Sequence, residues 1–446
     1  MKLFKTLIFV FLIFSATSVY SQSGMTFSEL ASRLSPYFDR ALIMDIEKQL
    51  PQGSDYKIWG WDVGDYSGDG YNDLGLSLKL AAEKKRIVET YLFVDIEGYL
   101  VKVGNFSYPF IEIPLEIGVV INKNTCFVTK KNKKYHWDIQ GFSFDNGVLV
   151  QKDEFTTGKI NNLTLETYRD YVDLRNTIKF LHTKSGEKVF YRDYLSILSY
   201  PRGRIIYKGY TNETHAHYID FVPSGAYEWD GEEDASLKIR SAHDEEYLYM
   251  TLEITDDNVV TKKCDTCITD HAEVWLDVNQ QDPTGGRFYS VNDENSITYN
   301  TSAEKGIFLV KVFPGNFVKR SPYVEISTNE DLQEIQKEAS KKIKAVADLT
   351  PSGYEIKFKI PFVFLGFNAN PTIDEDFYKL GCTVKAIDYD NEFRPEEKTE
   401  IATSDFESSD PSTFGELILI PHDQWYGTAN NIYRQDIINN LIEYGY

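Results

Sequence analysis

Between Gly64 and Leu74 the chain reads Gly-Asp-Tyr-Ser-Gly-Asp-Gly-Tyr-Asn-Asp-Leu. Oxygen-bearing side chains recur at Asp65, Ser67, Asp69 and Asp73, with the Tyr71 carbonyl between the last two. Calcium takes about six to eight oxygen ligands at roughly 2.3–2.6 Å, and this spacing can wrap one Ca2+. Gly70 permits the sharp turn that a side chain would obstruct. The Glu that completes an EF-hand loop is absent, so the loop is not of that kind. A metal-free Asp/Gly-rich hairpin turn is the alternative; the strand-like runs on both sides favour Ca2+. Two other sets could do chemistry. Cys264-Asp-Thr-Cys267 suits a redox dithiol, half a zinc site or a disulfide that clamps a loop. With no second Cys-x-x-Cys and no thioredoxin-like βαβ pattern, the loop clamp is expected. His215 and His217 share one face of a strand and could bind a metal. No third His or acidic partner is identifiable in the sequence, so a satisfied structural pair is expected.

The elements that must hold such residues are mostly strands. From Tyr247 to Ile254 the chain alternates: Leu248, Met250, Leu252 and Ile254 face one way, Tyr247, Tyr249, Thr251 and Glu253 the other. This period of two marks a half-buried strand. Asp256-Asp257-Asn258 ends it, since short polar side chains favour turns. A second strand follows, with Val274, Leu276 and Val278 inward and Glu273, Trp275 and Asp277 outward.

The 446 residues suffice for two or three domains. A 42% hydrophobic content in alternating runs indicates a globular chain. Lys plus Arg total 47 against 68 Asp plus Glu, a net charge of -21. That balance argues against nucleic acid, whose phosphates it would repel. Residues 1–21 read as a secretory signal peptide: Lys2 and Lys5 before an apolar Leu7–Phe14, with a cleavage site after Ser21. No later run is apolar over a bilayer's thickness, so no membrane span is expected. Export to the periplasm or beyond permits disulfides; the pairing of Cys126 and Cys382 is left open.

Along the mature chain, residues 22–51 read as helical. Thr26-x-x-Glu29 is a capping box, and Pro36 opens a second helix ending near Pro51. Residues 52–205 read as a β-rich domain carrying the calcium-type loop, with 165–200 of mixed character and a linker at Tyr200–Gly203. A β-sandwich spans 214–420. Within it, residues 329–345 are a charged helical insertion or solvated loop. Residues 421–446 form a tail that is helical from Asn430. The fold class is therefore mainly β: a jelly-roll-like C-terminal sandwich after a β-rich domain with short N-terminal helices.

Several pieces of the C-terminal half occur in a particular order: Asp230-Gly231, the Asp256-Asp257 turn, Asp270-x-x-Glu273-x-x-x-Asp277, PSGYEIKFKIPFVFLG (351–366), AIDYD (386–390) and STFGELIL (412–419). Together they resemble the family 9 carbohydrate-binding modules, β-sandwiches that bind sugars without cleaving them. Residues 64–78 likewise resemble the calcium loop of FG-GAP-type repeats. The family 9 resemblance implies a sugar site with Glu273 and Asp388 taking hydroxyls and Tyr389 or Phe393 supplying an aromatic face. Where the family often places a Trp before the Asp-x-x-Glu strand, this chain has Cys264–Cys267; Trp229 or Tyr289 would have to substitute. Trp275 lies in the strand itself and reads as structural.

Catalysis has no comparable signal. No Gly-x-Ser-x-Gly elbow, His-Glu-x-x-His pair or phosphate loop occurs. Among 68 acidic residues a carboxylate pair carries no information. The expectation is an exported, calcium-stabilised protein that binds a polysaccharide or oligosaccharide without being an enzyme. The alternatives are a cell-envelope scaffold with a protein partner, and an accessory part of a polysaccharide-degrading system whose partner hydrolyses glycosyl bonds.

Overall fold

In a computed structural model of the chain, described residues are 24–51, 56–81, 86–109, 116–133, 136–145, 147–203, 213–261, 268–279, 289–291, 297–299, 306–372, 377–408 and 410–421. The expected signal peptide, the Cys264/Cys267 loop and the C-terminal tail from residue 422 lie outside them. Among the described residues no helix is long and apolar enough to cross a membrane. Contacts divide them at Gly158/Lys159 into two units.

The first unit opens with α1 (Phe27–Leu34) and α2 (Arg40–Gln49). The capping box at α1 forms in both directions: the Thr26 hydroxyl accepts from Glu29 N, and the Glu29 carboxylate accepts from Thr26 N at 2.7 Å. The second helix begins at Arg40, not at Pro36. Asp39 caps it by accepting from Ala41 N and Leu42 N, two donors that the first turn leaves without partners. Four antiparallel strands follow in sequence order: β1 (Tyr56–Gly64), β2 (Asp73–Ala81), β3 (Arg86–Ile96) and β4 (Tyr99–Pro109). Alternation splits their side chains between two cores. Leu74, Leu76, Leu78, Tyr91 and Phe93 pack against Leu30, Leu34, Ile43 and Ile46 of the helices. Leu92, Val94 and Phe106 pack against Ile117, Val119, Val128 and Phe142. The latter belong to the hairpin-linked strands β5 (Glu116–Asn122), β6 (Thr125–Lys133) and β7 (His136–Asp145), which β8 (Val148–Ile160) continues.

The second unit begins with a meander, β9 (Leu163–Asp170), β10 (Arg175–His182) and β11 (Lys188–Pro201). It continues through β12 (Glu213–Ala216), β13 (Ala235–His243), β14 (Tyr247–Asp256), β15 (His271–Asp277), the small hairpin β16 (Tyr289–Val291) with β17 (Ile297–Tyr299), β18 (Ile307–Phe313) and β19 (Tyr323–Thr328). Helix α3 (Glu334–Ser340) precedes β20 (Ala345–Thr350), β21 (Gly353–Pro361), β22 (Tyr378–Tyr389), β23 (Lys398–Ala402) and β24 (Glu416–Leu419). One sheet runs β20-β21-β14-β13-β12. The other runs β19-β18-β15-β22, and β22 pairs along its far edge with both β23 and β24.

The two sheets face each other across one core. Leu248, Met250, Leu252, Ile254, Ile356 and Phe358 of the first meet Val274, Leu276, Phe308, Val310, Cys382 and Val384 of the second there. Each such side chain contributes about 1.5–3 kcal/mol of burial. The fold is therefore mainly β, with a C-terminal sandwich. The charged 329–345 segment contains α3, whose Ala339, with Ile343 just beyond it, reaches the core. Gly353 makes the β20–β21 turn at φ 141°, where an added Cβ would lie 2.2 Å from the Ile254 carbonyl oxygen. The division at 158/159, rather than at the expected 205–214, reflects how β11 docks. Its residues 196–199 pair in parallel with β24 and 199–201 with β13.

Candidate functional site

Because β15 alternates, Ala272, Val274 and Leu276 enter the core and His271, Glu273 and Trp275 occupy the opposite face of the sheet. Register extends that face across neighbouring strands. Glu273 lies between Lys311 of β18 and Lys385 of β22, and His271 opposite Ile387. Lys311 Nζ approaches Glu273 Oε1 at 2.6 Å, His271 Nε2 lies 3.7 Å away, and Trp275 Nε1 donates to Glu273 Oε2 at 3.0 Å. Burial pushes the Glu273 carboxyl up, but His271, Lys311 and Trp275 outweigh it and hold the group well below the usual carboxylate range. Glu400 of β23 is held in the same way: burial raises it, and the ion pairs to Lys385 and Lys398 more than compensate.

An aromatic row flanks these charges. Tyr323 stacks on Phe313 at 4.5 Å and 4°, and Phe313 on His271 at 4.8 Å and 21°. Trp275 is enclosed otherwise, with Phe406 at 5.1 Å and Phe414 at 6.2 Å. Lys398 lies close enough to Tyr389 and Glu273 for both to raise its pKa, after its hydrogen bond to Glu400. Tyr389 is half-buried at the end of β22, and Phe393 in the following turn is 83% exposed. The face thus brings together anionic acceptors, cationic donors and ring surfaces, the groups that bind hydroxyl-rich ligands, with Glu273 and Lys385 themselves almost fully buried.

Other expected site residues lie elsewhere. Trp229 packs against the sandwich core and donates from Nε1 to the Ala235 carbonyl at 2.8 Å. Tyr289 is in β16, and its side chain is outside the described residues. Asp388 points inward and is 3% exposed.

There Asp388 joins Asp256, the last residue of β14, and Asp270, just before β15; carboxylate oxygens of all three lie within 4.8 Å of one another, and all three residues are buried. Asp270 accepts from Tyr389 N at 2.9 Å and from Val260 N, and Asp256 from Asn258 N at 2.8 Å. Asp256 Oδ2, Asp388 Oδ1 and the fully buried Tyr354 hydroxyl have no hydrogen-bond partner among the described residues. Burial, then mutual repulsion, pushes Asp388 up to about 9 and Asp270 well above its usual range. Asp256 rises to about 6, chiefly through burial. A second, more open trio of Asp234, Asp257 and Asp390 also has oxygens within 4.8 Å. Sequence reading named most of these aspartates as separate motif pieces. Their convergence needs the pairing of β15 with β22, which spacing along the chain does not reveal.

In the first unit, the Gly64–Leu74 loop closes on its own main chain. Asp65 accepts from Gly68 N at 2.6 Å, Asp69 N at 3.2 Å and Gly70 N at 2.8 Å, and the Ser67 hydroxyl lies 3.3 Å from it. Asp69 accepts from Tyr71 N at 2.8 Å. The buried Asp73 accepts from Tyr66, Ser67 and Asp95 main-chain N–H groups, and burial raises its pKa to about 6 despite them. Asp65, Asp69 and Asp73 are not among the trios whose ligand atoms gather within 4.8 Å. Tyr71 is 64% exposed. Cys126 and Cys382 are free, buried thiols.

Residues 212–422 match the family model described as carbohydrate family 9 binding domain-like. This part of the chain resembles the family 9 carbohydrate-binding modules. Both sheets described above, Glu273 and the aspartate trios lie within the matched residues. Among solved structures, a family 9 module from Caldicellulosiruptor kristjanssonii in complex with cellotriose is 18% identical, covers 50% of this chain and 93% of its own, and has a TM-score of 0.30. The same organism's family 9 module in complex with glucose is 17% identical over 52% of this chain and 99% of its own, with a TM-score of 0.30. No curated protein matches the chain.

Proposed function

We propose that the protein is an exported, non-catalytic carbohydrate-binding protein that recognises a polysaccharide or its chain end. The family 9 match over 212–422 supports sugar binding. The observation that carries the site is Glu273, an anionic acceptor fixed between Lys311, His271 and Trp275 on the outer face of the sheet. An acceptor already held in place loses little entropy when a sugar hydroxyl docks. Tyr389, near Lys398 of the same face, and the exposed Phe393 in the turn after β22 would supply ring surface. A glycan array probed with the full chain tests the reading: binding that disappears with Phe393→Ala or Tyr389→Ala supports it, and a folded protein that binds no glycan refutes it.

Calcium is part of the proposal. The Asp256, Asp270 and Asp388 oxygens are hard donors, and two of these buried carboxylate oxygens lack hydrogen-bond partners among the described residues, so they fit Ca2+. The ion would supply the positive charge that lets all three carboxyls ionise together. The Asp65–Asp73 loop is the other proposed Ca2+ site, with Asp65, Ser67, Asp69, Asp73 and the Tyr71 carbonyl as ligands.

The second reading, an envelope scaffold that binds protein, is favoured by the fate of the two tryptophans. Trp229 packs on the core and Trp275 against the Phe406–Phe414 pair, so both rings already have structural partners.

A further inference from the structure

β12 alternates like its neighbours. Thr214 and Ala216 are buried toward the core, which places His215 and His217 together on the other side. Their rings lie 4.0 Å apart at 31°, and the Tyr218 ring closes on His217 at 3.8 Å. The stack restricts both imidazoles. His217 Nδ1 lies 3.1 Å from the His215 carbonyl oxygen. A carbonyl accepts only from an N–H, so Nδ1 of His217 carries a hydrogen and, in the neutral ring, Nε2 is the nitrogen with the lone pair. His215 Nε2 is buried without a hydrogen-bond partner. A stack of purely structural histidines would leave that nitrogen at a cost of about 1–3 kcal/mol.

The third partner, which sequence spacing did not reveal, is Glu232. It follows Asp230-Gly231, where Asp234 N and Ala235 N both donate to the Gly231 carbonyl at 3.2 Å and hold the turn. One ligating atom from each of His215, His217 and Glu232 lies within 4.8 Å of the others. Tetrahedral zinc with bonds of about 2.0–2.1 Å separates its ligands by roughly 3.4 Å. The exposed Glu232 side chain can close that gap by rotation.

We propose that His215, His217 and Glu232 bind a divalent transition-metal ion of the zinc type. Two imidazoles and one carboxylate suit zinc rather than calcium or magnesium, which prefer oxygen alone. Three protein ligands leave a fourth position to water. Lys238 lies opposite His215 on β13, and its charge works against the ion. This site is independent of the sugar-binding reading.

The test is calorimetric titration of ZnCl2 into the tag-free full chain after chelator treatment, with CoCl2 absorption as a second readout. Saturable zinc binding is expected, with intense tetrahedral cobalt bands. His215→Ala and His217→Ala should each weaken it at least as much as loss of an outer-shell partner, about 10- to 100-fold; Glu232→Gln should weaken it less. Cys264→Ser/Cys267→Ser separates any thiolate site and should leave the histidine-dependent binding intact. Zinc binding unchanged in both folded His variants, or lost only with the cysteines, overturns the proposal.

Discussion

Replacing Asp388 by Asn should change how the second unit's stability depends on pH and calcium together. In the metal-free protein, Asp388 and Asp256 have folded pKa values of about 9 and about 6, against about 3.9 in an unfolded chain. A carboxyl raised by folding binds its proton more tightly in the folded state. Its stabilisation is therefore complete below about pH 4 and is lost as pH rises toward the folded value. For Asp256 alone that loss is about 3 kcal/mol between pH 4 and neutrality, at about 1.4 kcal/mol per pH unit. A bound Ca2+ reverses the sign by favouring ionised carboxyls. At 100 times its Kd it adds about 2.7 kcal/mol, or roughly 5–11 °C in Tm for a unit of this size. Differential scanning calorimetry at about pH 5 and 7.5, with calcium and with chelator, reads all four corners. The calcium increment should grow with pH, and Asp388→Asn should raise metal-free stability at pH 7.5 while abolishing most of that increment. An increment equal at both pH values, or unchanged in Asp388→Asn, would refute the cluster as a cation site.

Three further outcomes are expected. Asp69→Ala should lower the Tm in calcium buffer to the chelated value; if chelator and mutation both leave the Tm unchanged, the Gly64–Leu74 loop is only a turn. Leu276→Ala, in the middle of the sandwich core, should cost about 2–5 kcal/mol in urea unfolding, and a cost below 1 kcal/mol would contradict the packing described. Gly353→Ala should cost at least about 2 kcal/mol, because its φ of 141° and the Ile254 carbonyl leave no room for a Cβ; a neutral result would show that the turn rearranges.

Much of the sandwich was legible because its strands alternate. Leu248 to Ile254 and Val274 with Leu276 face the core as their period of two requires. The Thr26–Glu29 capping box was equally plain, since its signal is local. The meander at 163–201 was not. Its β11 is buried over 192–200, and a strand covered on both faces loses the alternation that reveals it. The second helix was misplaced because Pro36 was read as its start, whereas the Asp39 side chain sets it at Arg40. In the candidate site, the motif marks Glu273, but its charge partner Lys311 and its register neighbour Lys385 come from strands far along the chain. Asp388 is expected in the sugar site from the resemblance, although alternation from Val384 and Ala386 carries it inward. The Glu232 partner of the histidines depends on tertiary approach and leaves no mark in spacing.

The most direct test of sugar recognition is titration of the full chain with the glycans that an array selects, comparing wild type with Glu273→Gln and Phe393→Ala. Phe393→Ala removes an exposed ring and should leave the Tm unchanged. The account predicts saturable binding that both substitutions weaken at least tenfold, which is about 1.4 kcal/mol. Binding that neither substitution alters, or no binding to any glycan by a protein that unfolds cooperatively, would contradict it.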